Sequence, residues 1–240
     1  MAIILNIDTA LDIAFISLAQ DGKLLGSANN YRQKDHSAWL HAAVAQLMAD
    51  SKISVHDLDA IGVSIGPGSY TGLRIAVSAA KGFCYALNIP LITIKTLEQI
   101  AWQGIYSTDE ADSSKRDSHE NRETLFCSMI DARRMEVFTA VYNRQLSEVI
   151  KPHALVLNQH SFEDLLQGHK ILFLGNGSLK FENICQNAHA MFKNIAPNPL
   201  ALATLTYRDF VGNNFAGLAY TEPLYLKEFF TRENEANEKG

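Results

Sequence analysis

Residues 60–87 read AIGVSIGPGSYTGLRIAVSAAKGFCYAL and join three pieces of structure. The apolar run from Ala60 to Ile65 is typical of a strand that is buried on both faces. A glycine-rich turn follows, and its glycines permit close approach to a ligand or a neighbouring segment. A helix is predicted from about Leu73 to Leu87, with Thr71 as its N-cap. Strand, tight turn and helix in this order favour an α/β protein.

The segments on either side of this stretch extend the same pattern. Strands are predicted at 3–8, 13–18 and 23–28, with Asp21-Gly22 as a hairpin turn between the second and third. Between Ser37 and about Ser51 the apolar residues follow helical spacing. A further strand is predicted at 90–94. The first hundred residues therefore read as hairpin strands, helix, strand, glycine-rich turn, helix and strand.

Two short motifs occur once in each half of the chain, in the same order. Ile7-Asp8-Thr9-Ala10 resembles Ile130-Asp131-Ala132-Arg133, and each follows a predicted strand. Gly66-Pro67-Gly68 likewise has a counterpart in Gly175-Asn176-Gly177. The repeated order at strand ends predicts two duplicated α/β lobes, with a ligand cleft between the two Asp-ended hairpins.

The polar segments suggest where the lobes begin and end. Residues 1–106 are predicted to form the first lobe, completed by a C-terminal helix at 200–226, and residues 125–199 the second. Between them, 107–124 has one apolar residue, which predicts a solvated linker loop. Residues 227–240 are predicted to be a polar tail.

Composition narrows the classes of protein that the chain can be. It has 240 residues, 47% of them hydrophobic, and a formal net charge of −5, which argues against binding nucleic acid through a broad basic face. Neither a membrane span nor a basic secretory leader is recognisable. The three cysteines, Cys84, Cys127 and Cys185, form no CxxC pair, so we expect reduced thiols in a cytoplasmic protein.

The strand ends and glycine turns supply the candidates for a nucleotide site. Aspartates at strand ends can hold Mg²⁺ through water against phosphates, or they can cap the turn that follows. The glycine turn leads into a helix N-terminus, which favours an anion, although a tight structural turn explains it equally well. The candidates for proximity to nucleotide or phosphate are Asp8, Gly66, Gly68, Ser69, Gly72, Asp131, Gly175 and Gly177.

The two N-terminal helices supply the candidates for a partner interface. The helix at 73–87 is rich in small residues, Ser78 and Gly82 among them, which permit close approach by a second protein or ordinary packing within the lobe. The interface candidates are His36, Trp39, Leu40, Ala43, Leu47, Arg74, Ala76, Ala79 and Ala80. His36 and His41 are five residues apart, not the four that place two metal ligands on one helical face, so no metal site is predicted.

Five motifs together resemble the TsaB (YeaZ) family over nearly the whole chain. They are Ile7-Asp8-Thr9-Ala10, Asp35-His36-Ser37, the ten-residue GPGSYTGLRI element at 66–75, Ile130-Asp131-Ala132-Arg133 and Glu222-Pro223-Leu224-Tyr225-Leu226. The resemblance implies the two-lobed actin-like ATPase (ASKHA, RNase H-like) fold. It also implies a role in making N6-threonylcarbamoyladenosine at position 37 of tRNAs that read ANN codons. In that pathway the paralogue TsaD transfers the threonylcarbamoyl group, the ATPase TsaE joins the complex, and TsaC makes the adenylate.

The resemblance also indicates what this chain lacks. The catalytic paralogue, of glycoprotease type, binds a metal through Asn-His-x-x-x-His, and Thr96 and Ile100 stand where its histidines would be. Threonine is a poor neutral ligand and isoleucine offers no ligand atom. The chain is therefore expected to be a non-catalytic scaffold and activator of TsaD, with ATP or ADP and metal in the partner or the assembled complex.

Further expectations concern assembly and the competing functions. We expect tRNA to be contacted through the complex, and the isolated chain to form a homodimer. The alternatives are a glycoprotease-like metallopeptidase, an ATP-dependent kinase of the same fold and an autonomous tRNA-binding module. The missing histidines weigh against the peptidase, the lack of a clear second adenosine loop against the kinase, and the acidic balance against the module.

Overall fold

The first lobe is built on a five-stranded mixed sheet. The computed structural model describes residues 1–32, 35–112 and 123–227. The strands of this sheet are β1 (Ile3–Asp8), β2 (Ala14–Gln20), β3 (Lys23–Asn30), β4 (Ala60–Gly66) and β5 (Leu91–Lys95). Their order is β3-β2-β1-β4-β5, and β2 alone runs antiparallel to the rest. The predicted hairpin turn is confirmed, because Asp21 and Gly22 both have positive φ, as tight hairpin turns require.

The second lobe repeats this sheet. Its strands are β6 (Thr124–Asp131), β7 (Glu136–Tyr142), β8 (Glu148–Val156), β9 (Lys170–Leu174) and β10 (Ala190–Lys193). Read from β8, the order β8-β7-β6-β9-β10 matches the first sheet strand for strand, with β7 as the antiparallel member. This is the strand order of an RNase H-like lobe. The predicted two-lobed actin-like α/β fold with duplicated lobes is therefore confirmed.

Six α-helices cover the two sheets within the described part of the chain, which also has a 3-10 turn at Val55–Asp57. They are α1 (His36–Ser51), α2 (Tyr70–Leu87), α3 (Thr96–Asp112), α4 (Glu163–Gly168), α5 (Ser178–Glu182) and α6 (Pro199–Val211). Apolar residues of α1 and α2 pack on one face of the first sheet, and those of α6 pack on the other. The inner residues of α3 pack on the second sheet. In the described residues no helix has the length and apolar content to cross a membrane.

The start of α2 corrects one prediction. The helix begins at Tyr70 rather than near Leu73, and Ser69 is its N-cap, since its side chain accepts a hydrogen bond from the Gly72 N–H at 3.2 Å. Thr71, the predicted cap, is an exposed residue of the first turn. Both residues have the hydroxyl that a cap requires, so residue type alone did not separate them.

The predicted start of the polar linker loop is also wrong. The loop predicted at 107–124 begins too early, because α3 continues to Asp112. Ser107 and Thr108 donate their hydroxyls to carbonyls three residues back, so these polar groups are satisfied within the helix. The rest of that loop, 113–122, lies outside the described residues.

The C-terminal helix is shorter than predicted. It was expected at 200–226, but α6 ends at Val211, and Asn213 in the left-handed region turns the chain away. The residues that follow run as an irregular segment beside the first lobe, where Ala216 donates its N–H to the Leu91 carbonyl. Of the predicted tail at 227–240, only Lys227 is described.

Candidate functional site: an interlobe cleft and a helical groove

The predicted cleft between the Asp-ended hairpins is present. A cavity of about 700 Å³ lies where the ends of β1 and β6 face each other. Of the predicted nucleotide-proximal residues, Asp8, Gly68, Ser69 and Asp131 line it, while Gly66, Gly72, Gly175 and Gly177 do not. The structure therefore brings half of that set together. Its polar lining also includes residues that were not among the predicted site residues, namely Asp12, Tyr70, Thr71, Arg133, Asn176 and Asn194.

Asp8 lies at the floor of the cavity and is almost completely buried. Its Oδ1 accepts the Ala10 N–H at 2.8 Å, and its Oδ2 accepts the Gln99 side-chain amide at 3.0 Å. The same amide donates to Ser64 Oγ at 3.1 Å. Burial raises the pKa of the Asp8 carboxyl, and these hydrogen bonds oppose the shift without cancelling it. Both oxygens of this carboxylate thus already accept hydrogen bonds, one from Ala10 and one from Gln99.

Asp131 occupies the equivalent position in the second lobe but is exposed. Its Oδ1 accepts the Arg133 N–H at 2.6 Å and the Lys180 ammonium at 2.6 Å. Partial burial opposes ionisation, but the Lys180 and Arg133 hydrogen bonds outweigh it and lower the pKa of Asp131. Both aspartates therefore cap the turn that follows them, the second of the two roles that the sequence left open.

The glycines of both turns are required by packing inside each lobe. A Cβ added to Gly68 would overlap the Ala10 carbonyl oxygen, and one added to Gly72 would overlap that of Thr9. In the second lobe, Gly175 and Gly177 approach the backbone of Met129 and Ile130 in the same way. The small residues let the glycine turn lie against the β1–β2 or β6–β7 hairpin.

The fold family implies a nucleotide, and the cleft residues fit its phosphates poorly. The space beside the glycines is filled by the chain's own backbone, and the Ser69 N–H is already donated to the Ala10 carbonyl at 2.7 Å. Asp131 is already paired with the Lys180 ammonium at 2.6 Å, an interaction with which a metal would have to compete. Within the described residues, no three His, Cys, Asp or Glu side chains are placed to hold a metal ion.

Thr96 and Ile100 lie on one face of the first turns of α3. Thr96 is buried and its hydroxyl lies 3.0 Å from Ser64 Oγ, while Ile100 lines the cleft. The spacing of four residues puts them where a helical pair of metal ligands would project. With one hydroxyl already bonded and one hydrocarbon side chain, this pair cannot form a metal site.

A second concavity lies outside the cleft, between α1 and α2. This groove has a volume of about 510 Å³ and is lined by Ser37, Leu40, His41, Ile75, Ser78, Ala79, Gly82, Phe83 and Ala86. Only His41 among them is titratable, and its ring lies 5.9 Å from that of Phe83. From the predicted interface set, Leu40 and Ala79 line this groove.

Most of the other predicted interface residues face inward, which corrects that prediction. Ala43, Leu47, Ala76 and Ala80 are buried in the first-lobe core, together with the Leu40 side chain that forms the groove floor. These residues therefore cannot form the outer surface of an interface. The prediction grouped small and apolar residues by helix rather than by helical face, and most of those chosen lie on the face that packs on the sheet.

His36 and Trp39 are likewise parts of the lobe rather than of an open surface. His36 is 5% exposed and its Nδ1 lies 3.1 Å from the Asn30 amide nitrogen. Burial lowers its pKa, and the nearby Asp35 charge opposes this without reversing it. Trp39 is half-buried against the core. His36, a predicted interface residue, therefore offers almost none of its side chain to a partner.

Arg74 is exposed but contacts the C-terminal segment instead of the groove. Its guanidinium lies 3.9 Å from the centre of the Tyr70 ring, and its Nε donates to the Tyr225 hydroxyl at 3.1 Å. Lys81, two turns along α2, donates to the Ala219 and Thr221 carbonyls. The C-terminal segment, residues 216–227, thus runs along one side of α2.

Sequence reasoning missed seven groove residues as interface members, namely Ser37, His41, Ile75, Ser78, Gly82, Phe83 and Ala86. Ser78 and Gly82 were noticed only as small residues. Ser78, Gly82 and Ala86 are four residues apart, which places small side chains on one exposed stripe of α2. This spacing is the sequence feature that could have identified them.

Comparison with known proteins defines the family. The chain is 32% identical over 176 residues to the tRNA threonylcarbamoyladenosine biosynthesis protein TsaB of Bacillus subtilis, covering 72% of this chain and 70% of that protein. The family model described as TsaD: tRNA N6-adenosine threonylcarbamoyltransferase matches residues 27–206. The chain belongs to the TsaB family.

A second TsaB protein and two solved structures match the chain over almost its full length. The TsaB protein of Escherichia coli is 24% identical over 236 residues, 93% of this chain and 94% of that one. YeaZ from Pseudomonas aeruginosa has the same fold, with a TM-score of 0.72 at 21% identity over 94% of this chain and 100% of that one. A second Pseudomonas aeruginosa structure, described as similar to peptidase YeaZ, has a TM-score of 0.75 at 21% identity over 95% of this chain and 100% of that one.

Proposed function

We propose that this chain is a non-catalytic subunit of the assembly that makes threonylcarbamoyladenosine in tRNA, and that it binds and activates the paralogue TsaD. Its TsaB relatives are named for this biosynthesis, and the family model that matches most of the chain is named for the transferase. The observation that carries the docking part is the apolar groove between α1 and α2.

The groove suits a helical partner because no Asp, Glu, Lys or Arg is among the described residues that line it, and because α2 presents small residues to it. Gly82 is exposed, and a Cβ added there meets no atom within 4 Å. Ser78 and Ala86 lie one turn to either side of it. Small residues at this spacing let a second helix approach closely, so two helices of TsaD against α1 and α2 would make a four-helix contact. An exposed apolar surface of this kind is typical of interaction sites.

The catalytic role is assigned to the partner because of the residues at the start of α3. Thr96 is bonded to Ser64, and Ile100 has no ligand atom. We therefore place the metal and the ATP or ADP in TsaD or in the assembled complex. No observation favours the metallopeptidase or the kinase over this assignment.

The remaining parts of the proposal concern the wider assembly in the cytoplasm. TsaE is proposed as a further subunit, and tRNA is proposed to bind to the complex rather than to this chain alone, since the net charge is −5. Binding of that kind weakens with added salt because phosphate contacts release counterions. Without TsaD, the same groove is proposed to join two copies of the chain.

Two glycines make a matched test of the docking surface. Gly82→Glu puts a charged side chain into the groove, while Gly168→Glu makes the same change in the second lobe, where a Cβ also meets no atom within 4 Å. Neither variant should have a lower melting temperature, since neither added Cβ meets a neighbouring atom. Gly82→Glu should weaken TsaD binding by roughly tenfold or more, since an unpaired charge in an interface costs upwards of about 1.4 kcal/mol. Titration calorimetry with purified TsaD measures this loss.

Reconstituted threonylcarbamoyl transfer completes the test. The chain alone should show no transfer, and the Gly82→Glu variant should lower transfer by TsaD in proportion to its lost binding. The docking proposal fails if Gly82→Glu binds TsaD like the unmodified chain. The non-catalytic assignment fails if the purified chain turns over substrate and a substitution in its own cleft abolishes that activity.

A further inference from the structure

One helix, α3, contributes side chains to the apolar clusters of both lobes. Leu97, Ala101 and Ile105 of α3 pack in the apolar cluster of the second sheet. Trp102, on another side of the same helix, packs against the first-lobe cluster under α6. A rotation of one lobe against the other would therefore have to open packed apolar surface on one side of α3.

The tip of the β7–β8 hairpin, residues 143–147, reaches from the second lobe to the first. Leu146 at this tip packs against the apolar clusters of both lobes. It has φ 61°, a conformation that non-glycine residues rarely adopt. The Asn143 side chain holds the turn, because its Oδ1 accepts the N–H groups of Gln145 at 3.0 Å and Ser147 at 2.9 Å.

An ion pair joins the lobes beside this tip. Lys95, the last residue of β5, donates from Nζ to Glu148 Oε1 at 2.5 Å, and Glu148 is the first residue of β8. The two side chains are 36% and 26% exposed, so the pair is only partly screened by water. Apolar packing and an ion pair thus hold the same hairpin against the first lobe.

Two further contacts connect the lobes elsewhere. Leu11, in the β1–β2 turn at the cleft, packs against the second-lobe cluster around α3. Lys227, at the end of the segment that runs along α2, lies 2.7 Å from Glu136 of β7. The lobes are therefore tied at several separate places, and not by a single hinge.

We propose that the β7–β8 hairpin tip is a latch that fixes the angle between the lobes, so that the cleft keeps one width. Two-lobed ligand-binding proteins commonly close by a hinge whose few residues absorb the change in backbone angles. Here Leu146 and the Lys95–Glu148 pair oppose such a motion. The chain then acts as a rigid body, and its docking helices keep a constant relation to the second lobe.

The distance between the lobes tests the latch directly. Spin labels are placed at exposed Lys23 and Glu182 by Lys23→Cys and Glu182→Cys, with Cys185→Ser, and the labelled chain is diluted with unlabelled chain. Pulsed electron resonance should give one narrow distance distribution, unchanged by MgATP. The latch variant carries Leu146→Asn and Glu148→Gln. Asparagine tolerates the positive φ of this position but lacks the apolar side chain that contacts both lobes. Its distribution should widen and gain a second, longer distance.

Controls separate the latch from general loosening. Val149→Ala changes an exposed residue of the same strand and should leave the distribution narrow. If the latch variant fails to fold by circular dichroism, Lys95→Met removes the ion pair from the first-lobe side and should still widen the distribution. The proposal is overturned if the unmodified chain already shows two distances, if MgATP shifts its single distance, or if every folded latch variant stays narrow.

Discussion

Asp8 and Asp131 accept the same hydrogen bond, from the backbone N–H two residues later, at the ends of equivalent strands. Their electrostatic surroundings are nevertheless opposite. Asp8 is buried with a raised pKa, whereas Asp131 is exposed, paired with Lys180 and has a lowered pKa. The duplicated backbone is thus retained while the two carboxylates have become chemically different. Their pH responses should therefore have opposite sign.

Asp8→Asn should remove a destabilisation that grows with pH. Because burial raises the folded pKa of Asp8, the folded state holds its proton to higher pH than the unfolded state does. The free energy of unfolding therefore falls as pH rises from the ordinary carboxyl pKa through the folded pKa. Asparagine can still accept the Ala10 N–H, and the Gln99 amide can turn to present Oε1, an atom without a hydrogen-bond partner among the described residues.

Urea unfolding from about pH 4 to about pH 8 measures this effect. Asp8→Asn should flatten the downward slope, while Asp12→Asn, at an exposed aspartate of the same cavity, should leave it in place. An unchanged slope in the Asp8 variant would mean that another group titrates in this window.

Lys180→Met should cost stability that is present at neutral pH and absent in acid. The Lys180 interaction lowers the folded pKa of Asp131, so it stabilises above the unfolded pKa and is lost as pH falls through the folded one. The pair is partly exposed, so the loss at pH 7 should be about 0.5 kcal/mol. Unfolding curves at neutral and acid pH, with Lys23→Met as an exposed control, measure it. A loss of equal size at both pH values would point to packing instead.

Ala80→Glu and Ser78→Glu should separate the core face of α2 from its groove face. Ala80 is 0% exposed, so a glutamate there buries an unpaired charge and should cost about 3 kcal/mol or more. Ser78 is exposed and lines the groove, so its variant should keep its melting temperature and lose TsaD binding. Thermal unfolding measures the change in stability, and a titration with TsaD measures the change in binding. Equal melting temperatures for both variants would show that the helix faces are misassigned.

Replacing 113–122 with a short Gly/Ser linker should leave the melting temperature unchanged. This stretch contains no apolar residue, so it has nothing with which to extend the core. Replacing 107–122 should lower stability by about 1 kcal/mol, because it also removes the end of α3 and the Ser107 hydroxyl that accepts from Lys193 at 3.1 Å. Matched linkers and thermal unfolding compare the two. A large loss from the shorter replacement would mean that residues 113–122 support the fold.

Sequence patterns predicted the lobes well because each pattern is local. The run from Ala60 to Ile65 became β4, the helical spacing after Ser37 became α1, and the repeated Ile-Asp motif marked the equivalent strands β1 and β6. Boundaries were less accurate where polar side chains bond to their own helix, as Ser107 and Thr108 do. Composition records polarity but does not show that these hydroxyls are satisfied by carbonyls of the same helix.

The candidate site was predictable only at the level of segments. The motifs pointed to the cleft and to the first two helices. Which face of each helix is free to contact a partner depends on which face packs on the sheet. Ala79 and Ala80 illustrate this, since neighbours in the sequence line the groove and the core respectively. A periodicity of 3.6 separates two faces but does not say which one is buried when both carry small residues.

By itself, the sequence determined the two duplicated α/β lobes, the family motifs and the four-residue spacing of Thr96 and Ile100, because these depend on residue type and local order. Only the tertiary structure decided that the chain's own backbone occupies the space beside the turn glycines. It also decided that the space beside Gly82 is open. The same is true of Leu146 and the Lys95–Glu148 pair, which bring the lobes together. Such relationships join residues far apart in the chain, so they arise from the packing of whole elements and leave no local pattern.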